Sequence, residues 1–102
     1  MSRDDAATAI VVPWYNESAR LRSSELLAFL LGHPQVYLLL VDDGSRDGTW
    51  AMLEEMRAKE SERIATLRME RNRGKAEAVR QGVLKALGGG PSRDRPFDLV
   101  GY

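Results

Sequence analysis

The chain has no cysteine, which removes disulfides and thiolate metal sites from consideration. It has one histidine, His33, placed before Pro34 in a turn, and no function is assigned to it. An excess of charge of either sign is also missing. Lysine plus arginine and aspartate plus glutamate number 15 each, so the formal net charge is zero. A dedicated nucleic-acid binder carries a basic excess on one face, and that class is set aside. No apolar run approaches the roughly 20 residues of a membrane-crossing helix. Met1 to Ala7 lacks the apolar centre of a secretion signal. The expected setting is therefore a soluble cytoplasmic domain, with room for a membrane segment, or a location at the cytoplasmic membrane face, once residues beyond Tyr102 are included. At 102 residues the chain suits one small domain with a modest core.

What the sequence does contain is a regular alternation. Thr8 to Pro13 (TAIVVP) is a short β-branched run, as expected of a strand buried on both faces. Ser23 and Ser24 are candidate N-caps of a helix through Leu31, with Leu26, Leu27, Leu30 and Leu31 at helical spacing. Gly32-His33-Pro34 stops it, and Val36 to Val41 is the second strand. Asp47 can cap a helix from Gly48 to about Lys59, burying Met52, Leu53 and Met56 while Glu54, Glu55 and Arg57 face water. Arg63 to Met69 alternates as a third strand. Gly74 to Leu87 is a third helix, with Ala76, Val79, Val83 and Leu87 on one side. Gly88-Gly89-Gly90-Pro91 ends it, Ser92 to Pro96 is a polar loop, and Phe97 to Tyr102 (FDLVGY) is a fourth strand.

Strand–helix units repeated in this way predict an α/β fold: a Rossmann-like open parallel sheet with helices on both faces, in the order β-α-β-α-β-α-β. A domain seldom closes on an uncapped strand, so residues 1–102 are expected to be the front portion of one larger domain. With strand order 3-2-1-4, the fourth strand is an apolar edge, and self-association through residues 97–102 is expected.

In an open parallel sheet, ligands bind outside the carboxyl ends of the strands. Three segments share that edge: Pro13-Trp14-Tyr15-Asn16-Glu17, Asp42 to Asp47, and Glu70 to Lys75. A dinucleotide fold places a glycine-rich turn after its first strand, and here that turn is PWYNE, bulky and acidic. Carboxylates suit the nucleoside end of a ligand, where a ribose diol or a base offers O–H and N–H donors. Tyr15 has a flat face on which a base can stack, and Glu17 can accept from ribose or base. The bland alternative is a proline-initiated turn with an aromatic lid. Asp42 and Asp43 point to opposite sides if the strand persists through them, so one can meet a ligand while the other holds the Gly44-Ser45 turn. Residues alone do not separate the two. Asn72-Arg73-Gly74-Lys75 opens a helix whose N-terminus favours anions, and Lys75 adds positive charge there. The alternative for Lys75 is a solvated side chain.

"AIVVPWYNE", "LLLVDDGSRDGT", "RNRGKAEAVRQGV" and "FDLVGY", in that order over nearly the whole chain, resemble the family 2 glycosyltransferases. The flavour is that of dolichyl-phosphate mannose synthases and bacterial polyprenyl-phosphate sugar transferases. The resemblance implies the N-terminal half of a GT-A fold and transfer of a sugar from a nucleoside-diphosphate sugar to an acceptor, a lipid phosphate or a saccharide. It implies that Pro13, Tyr15, Glu17, Val41, Asp43, Asn72 and Lys75 meet the nucleotide sugar. Asp42, Gly44 and Asp47 are left to the turn. Ala76 departs from the family, many members of which have a glycine there. The family's divalent cation, magnesium or manganese, is expected on an acidic DxD motif beyond Tyr102, so no metal ligand or catalytic residue is assigned here and the 102 residues alone are expected not to catalyse transfer. A non-catalytic nucleotide-binding module or pseudoenzyme is the competing reading.

Overall fold

The structure, a computed structural model, describes residues 7–88, 97 and 99–102. The polar loop expected over Ser92 to Pro96 lies outside them. Strands β1 (Thr8–Trp14), β2 (Val36–Asp42), β3 (Ile64–Arg68) and β4 (Leu99–Gly101) alternate with helices α1 (Ser23–Gly32), α2 (Thr49–Lys59) and α3 (Lys75–Leu87). All pairings are parallel, and the strands lie side by side in the order β3-β2-β1-β4, as the alternation predicts.

Burial on both faces explains why the central strands read as unbroken apolar runs. Along β2, Leu38 and Leu40 pack on one side with Leu30, Leu53, Met56 and Ile64. Leu39 and Val41 pack on the other with Val11, Ala78 and Ala86. Thus α1 and α2 cover one face and α3 the other. Each fully buried leucine contributes about 1.5–3 kcal/mol relative to an exposed one.

Local details depart from the sequence expectations for steric reasons. Ser23 and Ser24 lie inside the first turn of α1, while the N-cap position is Arg22 and carries no side-chain bond. A preceding turn, in which Arg20 and Leu21 N–H groups both donate to the Glu17 carbonyl, buries Leu21 and sets this entry. Leu31 is 70% exposed because only one side of α1 reaches the sheet. Glu54 does not simply face water: its carboxylate accepts from Thr66 Oγ1 at 2.8 Å and from Arg57.

The larger correction concerns α3. Its buried residues are Ala78, Gly82 and Ala86, whereas Ala76 and Leu87 are exposed and Val79 and Val83 are half-buried. The helix lies so close to the sheet that a Cβ on Gly82 would collide with Val11 and Val41. Small size, not hydrophobicity, selects the contact face. At the opposite end, the Arg63 guanidinium donates to the carbonyls of Leu30, His33 and Val36, closing the C-terminus of α1. His33 itself stacks on Phe29 and sits far from the carboxyl edge of the sheet.

The strand expected over Phe97 to Tyr102 is shorter, Leu99–Gly101, and pairs with Thr8 to Ile10 at the sheet edge. Phe97 rests edge-on against Tyr37, with ring centroids 5.2 Å apart. The chain moves from β1 out to β2 and β3, then returns beneath the sheet through α3 to the other side of β1. The reversal point therefore lies between β1 and β4.

Candidate functional site

A cavity of about 850 Å³ opens at that reversal point, along the carboxyl half of β1. Its lining includes Pro13, Tyr15, Glu17, Asp43, Asn72 and Lys75, together with Gly74 and Tyr102. The three segments predicted to share one edge are thus brought together around one space. Val41 is the exception. Its side chain is fully buried on the α3 face and does not line the cavity, because β2 is still an interior strand at that position.

The two aspartates separate as follows. Asp42 ends β2, is fully buried, and its two oxygens accept the Ser45 N–H at 3.3 Å. Asp43 follows, with its N–H donating to the Trp14 carbonyl at 2.8 Å. The Asp43 carboxylate points across to the segment before α3. There it accepts from Arg73 N–H at 2.8 Å, Gly74 N–H at 2.9 Å and Asn72 Nδ2 at 2.9 Å. The anion at the approach to α3 is therefore the protein's own, which the sequence does not reveal. A carboxylate offers about four acceptor positions. Oδ1 carries a single protein donor here, so it can still accept an N–H or O–H from a ligand in the cavity.

Gly44 makes this arrangement possible. Its φ is +73°, and the backbone of Arg71 and Asn72 lies directly over its Cα. A second set of bonds joins the β1–α1 loop to the β2–α2 loop. Asn16 N–H donates to Ser45 Oγ at 2.9 Å, Arg46 N–H to Asn16 Oδ1 at 2.9 Å, and Glu17 N–H to Thr49 Oγ1 at 2.8 Å. Asp47 bonds Ser18 N–H and Oγ through one oxygen and Thr49 N–H and Oγ1 through the other. It stands one residue before the N-cap position, Gly48, yet still takes the first helical N–H of α2. These contacts fix the backbone that follows Tyr15, a residue that remains 43% exposed at the cavity. Sequence reasoning misses the roles of Asn16, Ser18, Ser45 and Thr49. Their signal is the density of Ser, Thr, Asn and Asp in two adjacent turns, a pattern that names no partners.

The Thr49 hydroxyl, with help from Thr49 N–H and from Ser18, holds the Asp47 carboxyl at about 2, below its usual 3.8. A depressed carboxylate stabilises the fold above its unfolded-state pKa, and that contribution disappears as pH falls through the folded value. The loop clamp should therefore loosen between about pH 4 and about pH 2. The amide resonances of Ser18 and Thr49 should titrate together over that window, and Asp47→Asn should abolish the shared titration. Independent titration of the two amides would contradict the clamp.

Beyond Tyr15 and Asn72 lies a second recess of about 620 Å³, bordered by Arg46, Arg68 and Arg71 with Glu70. Among the described residues, no three His, Cys, Asp or Glu side chains are placed to hold a metal ion. The described residues therefore offer no donor set for a divalent cation, and no step is assigned to one. No described helix is long and apolar enough to cross a membrane.

An open parallel sheet, covered on both faces and hollowed at its reversal point, defines a Rossmann-like α/β unit. Its fold is that of a solved mannosyltransferase from Pyrobaculum calidifontis, in complex with GDP-Man and Mn2+. The TM-score is 0.61 at 20% identity, covering 76% of this chain and 24% of that one. The chain belongs to glycosyl transferase family 2, whose model matches residues 9–89. It is 39% identical over 89 residues to a dolichyl-phosphate beta-glucosyltransferase of Drosophila melanogaster, covering 78% of this chain and 27% of the relative. It is 33% identical over 82 residues to a polyprenol monophosphomannose synthase of Mycolicibacterium smegmatis, covering 78% of this chain and 30% of that protein. The chain thus spans under a third of the length of these relatives.

Proposed function

We propose that the cavity between β1 and β4 holds the nucleoside end of a nucleoside-diphosphate sugar, and that the whole protein transfers the sugar to a polyprenyl phosphate. The observation that carries this reading is the convergence of Pro13, Tyr15, Glu17, Asp43, Asn72 and Lys75 on one space at the reversal point of the sheet. Relatives named for dolichyl-phosphate and polyprenol substrates support the acceptor class. In the reaction, an acceptor phosphate oxygen bonds to the anomeric carbon while the bond from that carbon to the diphosphate breaks, and the nucleoside diphosphate leaves.

The residues present serve binding. The face of Tyr15 stacks on the base, and Oδ1 of Asp43 accepts from base or ribose. Lys75 places positive charge toward the diphosphate. On this reading residues 1–102 hold the donor without transferring its sugar, the metal-binding acids lying beyond Tyr102.

Asp43→Ala should weaken nucleoside-diphosphate binding by about one to two powers of ten, the loss of a charged hydrogen bond. Isothermal calorimetry with uridine and guanosine diphosphates measures this. An affinity equal to that of the parent chain would rule out Asp43 as a ligand and leave it only its loop.

A further inference from the structure

We propose that Arg68 is a positioning residue for the donor cavity, acting through the buried Asp42 on the turn that fixes the backbone beside Tyr15. Arg68 does not line that cavity; it borders the neighbouring recess. The last residue of β3, it is the register partner of Asp42, which in turn is the register partner of Trp14. In-register residues of a parallel sheet project from the same face, so the row Trp14–Asp42–Arg68 runs across three strands at their carboxyl ends.

Asp42 needs a cation there. Its carboxylate is fully buried, and the bonds from Ser45 N–H, at 3.3 Å to each oxygen, are long ones shared by a single amide. A buried carboxylate so weakly served is stable only when paired. Arg68 Nε lies 3.5 Å from Oδ2, and the guanidinium carbon stands 5.4 Å from the centroid of the Trp50 ring. That ring, from the first turn of α2, keeps the guanidinium over the row.

The link to the cavity is continuous. Asp42 holds Ser45 N–H, Ser45 Oγ accepts from Asn16 N–H, and Asn16 Oδ1 accepts from Arg46 N–H. Asn16 sits between Tyr15 and Glu17 with φ at +49°, in the left-handed region that asparagine adopts more readily than other non-glycine residues. Removing the charge of Arg68 leaves Asp42 unpaired. The turn then moves to rehydrate it, and Asn16 loses both of its partners.

The test compares Arg68→Met, Arg68→Lys, Asp42→Asn and the Asp42→Asn/Arg68→Met double variant in the present chain. Amide hydrogen exchange reports the turn without any ligand. Arg68→Met should speed exchange at Asn16, Ser45 and Arg46 by about tenfold while Leu38 to Leu40 keep parental rates. Arg68→Lys should restore most of the protection. The double variant should exchange like Asp42→Asn, since a neutral side chain no longer needs the cation.

Unchanged exchange, or an equal rise through all the strands, would overturn the proposal. So would an undiminished effect of Arg68→Met in the Asp42→Asn background. Should Arg68→Met not fold, Arg68→Lys against the parent, and the double variant against Asp42→Asn, still decide it. The affinity readout rests on the nucleotide reading above: uridine or guanosine diphosphate should bind Arg68→Met about tenfold more weakly. If the parent chain binds neither nucleotide, that reading fails, and the exchange comparison still decides the role of Arg68 in the turn.

Discussion

Gly44→Ala should lower the unfolding free energy by about 3–5 kcal/mol and, on the function proposed above, abolish nucleotide binding. Two costs combine. The backbone at this position has φ +73°, which disfavours any side chain, at about 1–2 kcal/mol. The new methyl would also meet the carbonyl carbon and Cα of Arg71 and the amide nitrogen of Asn72. These are backbone atoms, so relief requires the whole 71–74 segment to move. That segment carries the three donors held by Asp43, and moving it strips a buried carboxylate of its partners. A domain of this size has a total stability of about 5–15 kcal/mol, so a loss of about 3–5 kcal/mol is a large part of the whole. Urea denaturation at neutral pH measures it, and a midpoint within error of the parent would show that the loop yields freely.

Gly82→Leu is the second large effect, about 3 kcal/mol of destabilisation, and it arises in the core. Here the glycine is needed for space alone. The added atoms would enter the β-branched side chains of Val11 and Val41, which sit in adjacent central strands and have few alternative rotamers. Leucine is the better helix former by about 1 kcal/mol, which offsets part of the collision and makes a net loss the more informative result. Gly32→Ala is the matched control. A Cβ at Gly32 meets nothing within 4 Å, and its change in stability should stay within about 1 kcal/mol. If Gly82→Leu behaved like that control, α3 would have to stand further from the sheet than described.

The contrast between these glycines also shows where the sequence is legible. Strand and helix order, parallel pairing and the position of the reversal point are readable, because alternating apolar runs admit few topologies. The edge on which Pro13, Tyr15, Glu17, Asp43, Asn72 and Lys75 meet follows from that topology alone. The packing face of α3 is not readable. Hydrophobic periodicity weights large residues, and the contact selects small ones. The partners of Asp43 are equally hidden, since they lie 29 to 31 residues away along the chain and two of them are backbone amides. A backbone donor leaves no mark in a sequence. The burial of the Val41 side chain has a related origin: adjacency to Asp42 in a motif suggests adjacency to the cavity, whereas a strand side chain is committed to one side of its sheet.

The stitching of the β1–α1 and β2–α2 loops carries a consequence for anyone wishing to re-engineer the site. Most of its bonds join a side chain of one loop to the backbone of the other, so neither loop is an exchangeable cassette. A replacement for the segment from Trp14 to Ser18, taken from another protein, would arrive without the opposite turn to which it was fitted. Its fit would depend on Ser45, Asp47 and Thr49, and the tolerance of each position on what faces it. Selectivity would have to be redesigned on both loops together, with Asn16, Ser18, Ser45, Asp47 and Thr49 transplanted as a set.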